Sequence, residues 1–421
     1  MAASIDFATA ELREGRTPDS SRSAEPGKST PGRTDYRIEL ERIEKTVAEL
    51  QASALVPPTD TGTVITYVHG VYQHAVLTGN LAELEVADSL IADAIALVQC
   101  PSDLYFLKAN VAFKLHRLAD VRRSLQAAPL LRETTEGRAL LAELDFQEGR
   151  YEQARAGYQR VIEDDRTWAS LARLAHFHAK MGDPVEADRL YLEAEDELTA
   201  KEMRSYAWVE LQRGLLDLAH GRYADADAHY ARAARAYSGY WLVAEHRAEL
   251  LAAQGAFEQA AELYERIVAE VPRPDLQQVL GQLYALMGRR GRAKSWYVQA
   301  RAGYLESARR GGVHYYHHLT GLYADVYEDG AEAVAWARKD LELRDNFSTQ
   351  AALAWALYRH GQFAEAVERM SQALSSGAKD AHLFSQAAAI WHAAGRPDEG
   401  ACYLQMAAAI NPRHGNFHVH R

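Results

Sequence analysis

The sequence predicts an all-α chain wound into an α-solenoid, a stack of antiparallel helix pairs, and three observations predict it. Apolar residues recur at helical spacing from Tyr36 almost to the C-terminus, with no alternating strand-like run. A short phrase, Gly-Arg-Tyr-x-x-Ala or a close variant, returns at Gly149, Gly182, Gly221, Gly255, Gly288, Gly361 and Gly395, and His116 and Glu328 hold its place in two weaker copies. The nine positions are spaced 33, 33, 39, 34, 33, 40, 33 and 34 residues apart, and a fixed period of this size is the mark of a repeat architecture.

In chain order, residues 1–34 are rich in Ser, Pro and Gly and carry five acidic and five basic residues. They offer little to bury and are expected to be disordered. The GKST at Gly27 lacks the first glycine of a phosphate loop, since Arg22 stands there. Residues 35–64 read as one amphipathic helix (Ile38, Leu40, Ile43, Val47, Leu50) and a linker broken by Pro57-Pro58. Residues 65–101 read as a divergent helical pair around Gly79 that caps the array. Residues 102–412 are the array itself, and residues 413–421 a short His-containing tail.

Within the array the period carries a size code. The position seven before the phrase glycine reads Ala109, Ala142, Ala175, Gly214, Ala248, Gly281, Gly321, Ala354 and Ala388, all small. Five after it come Val121, Ala154, Ala187, Ala226, Ala260, Ala293, Ala333, Ala366 and Gly400. Nine after it the residue is mostly large: Leu125, Tyr158, Tyr191, Tyr230, Tyr264, Tyr297, Ala337, Met370 and Leu404. Two helices approach closely only where both carry small side chains, and larger ones fill the flanks of the crossing. The glycine between them accepts the positive φ that stops the first helix. This pattern resembles the tetratricopeptide repeat (TPR) family, with about nine units. The insertions near Glu195 to Tyr206 and Ala302 to Gly312 are expected to lengthen helices or loops, and the unit beginning at His314 departs most, with Asp340 at a usually small position.

The resemblance implies a right-handed superhelix whose first helices line a concave groove that binds a protein or peptide. Carried over position by position, the groove residues are Phe106, Asn110 and Lys114, then Arg173, His176 and Lys180, then Glu245, His246 and Glu249. Further along they are Gln282, Tyr315, His318, Trp355, Tyr358, Arg359 and His382. The chaperone-tail clamp of one subclass is disfavoured, because only two of its five residues, Asn110 and Arg173, are matched.

Composition narrows the function. The net charge of −11, without a gathered basic face, argues against nucleic acid. No apolar run of membrane-spanning length and no signal-type segment is present, so a cytoplasmic location without membrane contact is expected. Two cysteines, Cys100 and Cys402, are too few for a disulfide framework. Neither a catalytic signature nor a cofactor fingerprint occurs, so no enzyme activity and no cofactor is expected. The metal-ligating types are His314 and His318, one helical turn apart, and His418 and His420 in the tail; each pair needs further ligands, and ordinary polar roles are favoured. The reading is a non-catalytic scaffold or adaptor. A peptide-responsive regulator and a metal-handling accessory are the alternatives. Only nine residues follow Pro412, so the apolar last helix is expected to be covered by the tail, a partner or a second copy of the chain.

Overall fold

The computed structural model describes residues 34–51, 61–97 and 102–418. The expectations placed on residues 1–33, on Pro57-Pro58 and on His420 lie outside the described residues. Among those described, all regular structure is helical. α1 (Asp35–Gln51), α2 (Thr61–Thr78) and α3 (Leu81–Leu97) come first, with Gly79 at φ 67° between α2 and α3. The pair α4 (Ser102–Lys114) and α5 (Leu118–Ala127) is followed by one turn, α6 (Pro129–Arg132). Then come α7 (Thr135–Gln147) with α8 (Tyr151–Asp164), α9 (Trp168–Met181) with α10 (Pro184–Asp196), and α11 (Met203–Ala219) with α12 (Tyr223–Ala236). After them stand α13 (Trp241–Ala253) with α14 (Phe257–Glu270), and α15 (Pro274–Leu286) with the 20-residue α16 (Arg290–Arg309). The insertion near Ala302 has lengthened that second helix. The next first helix, α17 (Tyr316–Gly321), runs into a π turn (Leu322–Val326) and pairs with α18 (Gly330–Leu343). Two regular pairs close the array: α19 (Phe347–Arg359) with α20 (Phe363–Ser375), and α21 (Ala381–Ala393) with α22 (Pro397–Ile410).

The size code accounts for the packing. Ala109, Ala142, Ala175, Ala248 and Ala354 meet Ala154, Ala187, Ala226, Ala260 and their counterparts in fully or almost fully buried crossings. Tyr191, Tyr230 and Tyr264 are buried beside them and fill the flanks of the crossings. At two crossings the glycine is obligatory: a Cβ on Gly214 would lie 2.3 Å from the Tyr230 ring, and one on Gly281 2.5 Å from Tyr297. All nine phrase positions have positive φ, including His116 at 60° and Glu328 at 53°. In the last unit Leu404 is 49% exposed.

The array also returns over itself. After six units the chain lies against its own first turn, and hydrogen bonds cross a seam between residues 192 to 200 apart. The first four rungs each join the end of one first helix to the segment six units on, and a fifth spans 163 residues. His314 Nδ1 meets the Lys114 carbonyl (3.1 Å), and Asn346 Nδ2 donates to the Gln147 carbonyl (3.3 Å). The Lys379 amide donates to Met181 (3.1 Å), and Arg413 donates to Gly221 (2.7 Å). The last rung is Asn416 Nδ2 to the Ala253 carbonyl (2.9 Å). The tail therefore crosses to the first superhelical turn, burying Phe417 there, rather than covering α22, whose Met406 stays 39% exposed.

Candidate partner-binding lumen

Contact across the seam makes the concave groove a half-open lumen of about 1030 Å³. First helices supply most of its wall: Trp208 from α11, Trp241, Glu245 and His246 from α13, and Asp275, Gln278 and Gln282 from α15. Opposite stand His317, His318 and Thr320 of α17, Asp325 of the π turn, Phe347 and Trp355 of α19, and His382 and Gln386 of α21. Lys114, the tail residues His414, Phe417 and His418, and Val76 and Leu84 of α2 and α3 also line it. The volume matches sites that enclose a drug-sized ligand or a short peptide.

Most charges on this wall are spoken for. Arg273 holds Asp275 through two bonds of 3.1 and 2.7 Å and lies over the Trp241 ring. Arg344 binds Asp340 at 2.8 Å; burial pushes the Asp340 carboxyl up, and the guanidinium offsets part of that. Trp355 Nε1 donates to Asp325 (3.0 Å), and His418 pairs with Glu249 (3.0 Å).

At the first seam rung sits a cluster of imidazoles. The rings of His116 and His314 are 4.4 Å apart, those of His317 and His318 4.1 Å, and His318 stacks on Tyr304 at 5.3 Å. With its Nδ1 on the Lys114 carbonyl, His314 carries the proton on that nitrogen. Burial drives all four away from the charged form: His314 to about 4, His318 to about 3, and His116 and His317 well below the ordinary value. The Nε2 atom of His318 and Nδ1 of His116 are buried with no hydrogen-bond partner among the described residues. No group of three or more His, Cys, Asp or Glu among the described residues is placed to hold a metal ion.

Of the residues the sequence assigned to the groove, Lys114, Glu245, His246, Gln282, His318, Trp355 and His382 share this one lumen, together with His314 and His418. The others stand elsewhere. Phe106 packs on the core, and Asn110 back-bonds to its carbonyl (2.9 Å). Arg173 is buried on Glu143 (3.0 Å), and His176, in the same helix, is held neutral by burial, its pKa near 3. Lys180, on that helix too, is not part of the lumen wall, and burial lowers its pKa. Glu249 lies behind the wall with His246 and His418, and Tyr315 is core, against Tyr304. Tyr358 supports the Trp355 ring at 4.9 Å, and Arg359 donates to the Ala324 carbonyl. Trp241, Asp275, Phe347 and Phe417 went unassigned because they sit at helix starts or in the tail, outside the groove positions. Asp340 at a small position was the one sequence sign of the Arg344 pair.

The chain matches no family model and none of the curated proteins it was compared with. Among solved structures it is similar to the APC/C hetero-tetramer Cut9-Hcn1, at 15% identity and TM-score 0.43, over 90% of this chain and 82% of that chain. MamA gives 18% identity and TM-score 0.32 over 40% of this chain and 96% of its own. A tetratricopeptide repeat protein from Parabacteroides merdae gives 18% and 0.32, over 58% and 93%. These are distant likenesses, and the repeat assignment rests on the helix pairs themselves. By period, by the small–small–large crossing and by the positive-φ turn, the chain is an all-α solenoid of helix-pair repeats that resemble tetratricopeptide units.

Proposed function

We propose that the protein is a non-catalytic interaction scaffold that holds a peptide segment of a protein partner inside the lumen. The carrying observation is the wall itself: six first helices present aromatic rings and side-chain amides to one space of about 1030 Å³. Aromatic anchors ringed by hydrogen-bonding groups are what peptide recognition uses. Photo-crosslinking tests the reading. Benzoylphenylalanine at Gln282, on the lumen wall, is expected to capture a partner from the native host, and the same group at Gln372, on the outer α20, is not. Capture at Gln372 alone would sink it.

The seam favours a regulatory variant of this reading. Rungs that join units six apart tie the pitch of the superhelix to what fills the lumen. A ligand that fits one pitch better shifts the population toward it.

A further inference from the structure

We propose that the peptide held in the lumen bears a lysine or arginine, and that its cationic head group is received by Glu245. The proposal rests on the lumen being the partner-binding surface and adds the chemistry of what it takes.

Glu245 is 8% exposed and lines the lumen, yet no described residue donates a hydrogen bond to its carboxylate. Buried carboxylates are ordinarily bonded or paired. The neighbouring cation that could serve it, Arg273, is committed to Asp275 and to the Trp241 ring. His246 turns the other way, toward Glu249 at 3.4 Å and the Tyr230 ring at 6.0 Å. The lumen wall thus carries the carboxylates of Glu245, Asp275, Asp325, Asp340 and Asp380 against the cations Lys114, Arg273 and Arg344, so carboxylates are in excess. Burial raises the Glu245 pKa, and the nearby charges of His246 and Arg273 offset only part of that.

What surrounds Glu245 fits a cation on a chain. Trp241 stands one helical turn before it on the same face of α13, and Trp208 and Tyr240 line the same space, so an ammonium or guanidinium meets aromatic faces as well as the carboxylate. On α15, Gln282 makes no hydrogen bond within the described residues. One turn earlier, Gln278 accepts from Tyr304 and keeps its amide protons. Two amides spaced in this way can serve a peptide backbone beside the charged head.

The test is a soluble hexapeptide library in an Ala/Ser background with one position scanned through Lys, Arg, norleucine and Glu. Peptides retained by the full chain through gel filtration are read by mass spectrometry. Lys and Arg are expected to be enriched, norleucine and Glu not, and Glu245→Gln should cut the enrichment by about thirtyfold or more. Equal retention of norleucine, or an unchanged profile in Glu245→Gln, overturns the proposal while leaving the scaffold reading intact if Gln282 still crosslinks a partner. No retained peptide and no Gln282 crosslink overturns both. Butylamine and agmatine, run alongside, overturn the peptide form if either binds at Glu245 as tightly as the Lys hexapeptide. Thermal unfolding gives a separate check: Glu245→Gln is expected to raise Tm, because it removes a charge that the free protein leaves unpartnered. A fall in Tm would make the carboxylate structural and overturn the assignment.

Discussion

At the scale of single residues, the turn glycines do two different jobs that one sequence phrase hides. Gly182 and Gly361 have φ of 79° and 82°, so a side chain costs either of them roughly 1–2 kcal/mol in backbone strain. Gly182 also lies in the seam, where a Cβ would sit 2.2 Å from the Lys379 carbonyl oxygen, whereas nothing lies within 4 Å of Gly361. Gly182→Ala is therefore expected to lose about 1–3 kcal/mol more than Gly361→Ala. Urea denaturation of the two variants measures it, and equal losses would mean that the seam yields freely. The period was legible because both kinds of glycine satisfy the same turn. The seam was not, because a contact between residues 199 apart leaves no local pattern.

At the scale of helix pairs, the polar contacts set the response to acid. Glu210 of α11 is 1% exposed and receives Tyr206 at 2.9 Å, with His229 and Arg232 of α12 at 2.6 Å each. Burial raises its pKa, but those hydrogen bonds outweigh it and hold the carboxyl at about 2. Breaking such a buried network costs about 3–5 kcal/mol, the loss expected for Glu210→Gln in urea at pH 7. A depressed carboxyl contributes stability above its ordinary pKa of 4.5, and that contribution is lost as pH falls toward 2. The imidazoles of the first rung act in a higher window. His116, His314, His317 and His318 face one another, Arg344, Arg273 and Asp275, and all four have depressed pKa values. The unfolded chain binds their protons first, so stability is full above the ordinary imidazole pKa of 6.5 and falls as pH drops toward 4. His116→Gly removes one of these groups and relieves a φ of 60°, so its urea midpoint should depend less steeply on pH between 6.5 and 4. An unchanged slope would place the acid response elsewhere. The sequence named His314 and His318 for their spacing, but His116 joined them only through the return of the superhelix.

At the scale of the whole molecule, a solenoid whose units touch only their neighbours is quasi-one-dimensional, and trimming one end leaves distant units undisturbed. This chain departs from that rule through its tail. Arg413 bonds to Gly221 and lies over the Tyr223 ring, Asn416 bonds to Ala253, Phe417 is buried in the core of α11 to α15, and His418 pairs with Glu249. Ending the chain at Ile410 removes all of these at once while every helix pair keeps its own crossing. The turns at Gly221 and Ala253 then lose their covering, and Glu249 loses His418. Hydrogen exchange in the turns after α11 and α13 is expected to quicken in the truncated chain, although the deletion lies more than 150 residues away in sequence. Exchange in α7 and α9, whose rungs run to Asn346 and Lys379, should change least. If quickening is confined to α21 and α22, the tail is an ordinary frayed end, and the lumen is closed by the helix pairs alone.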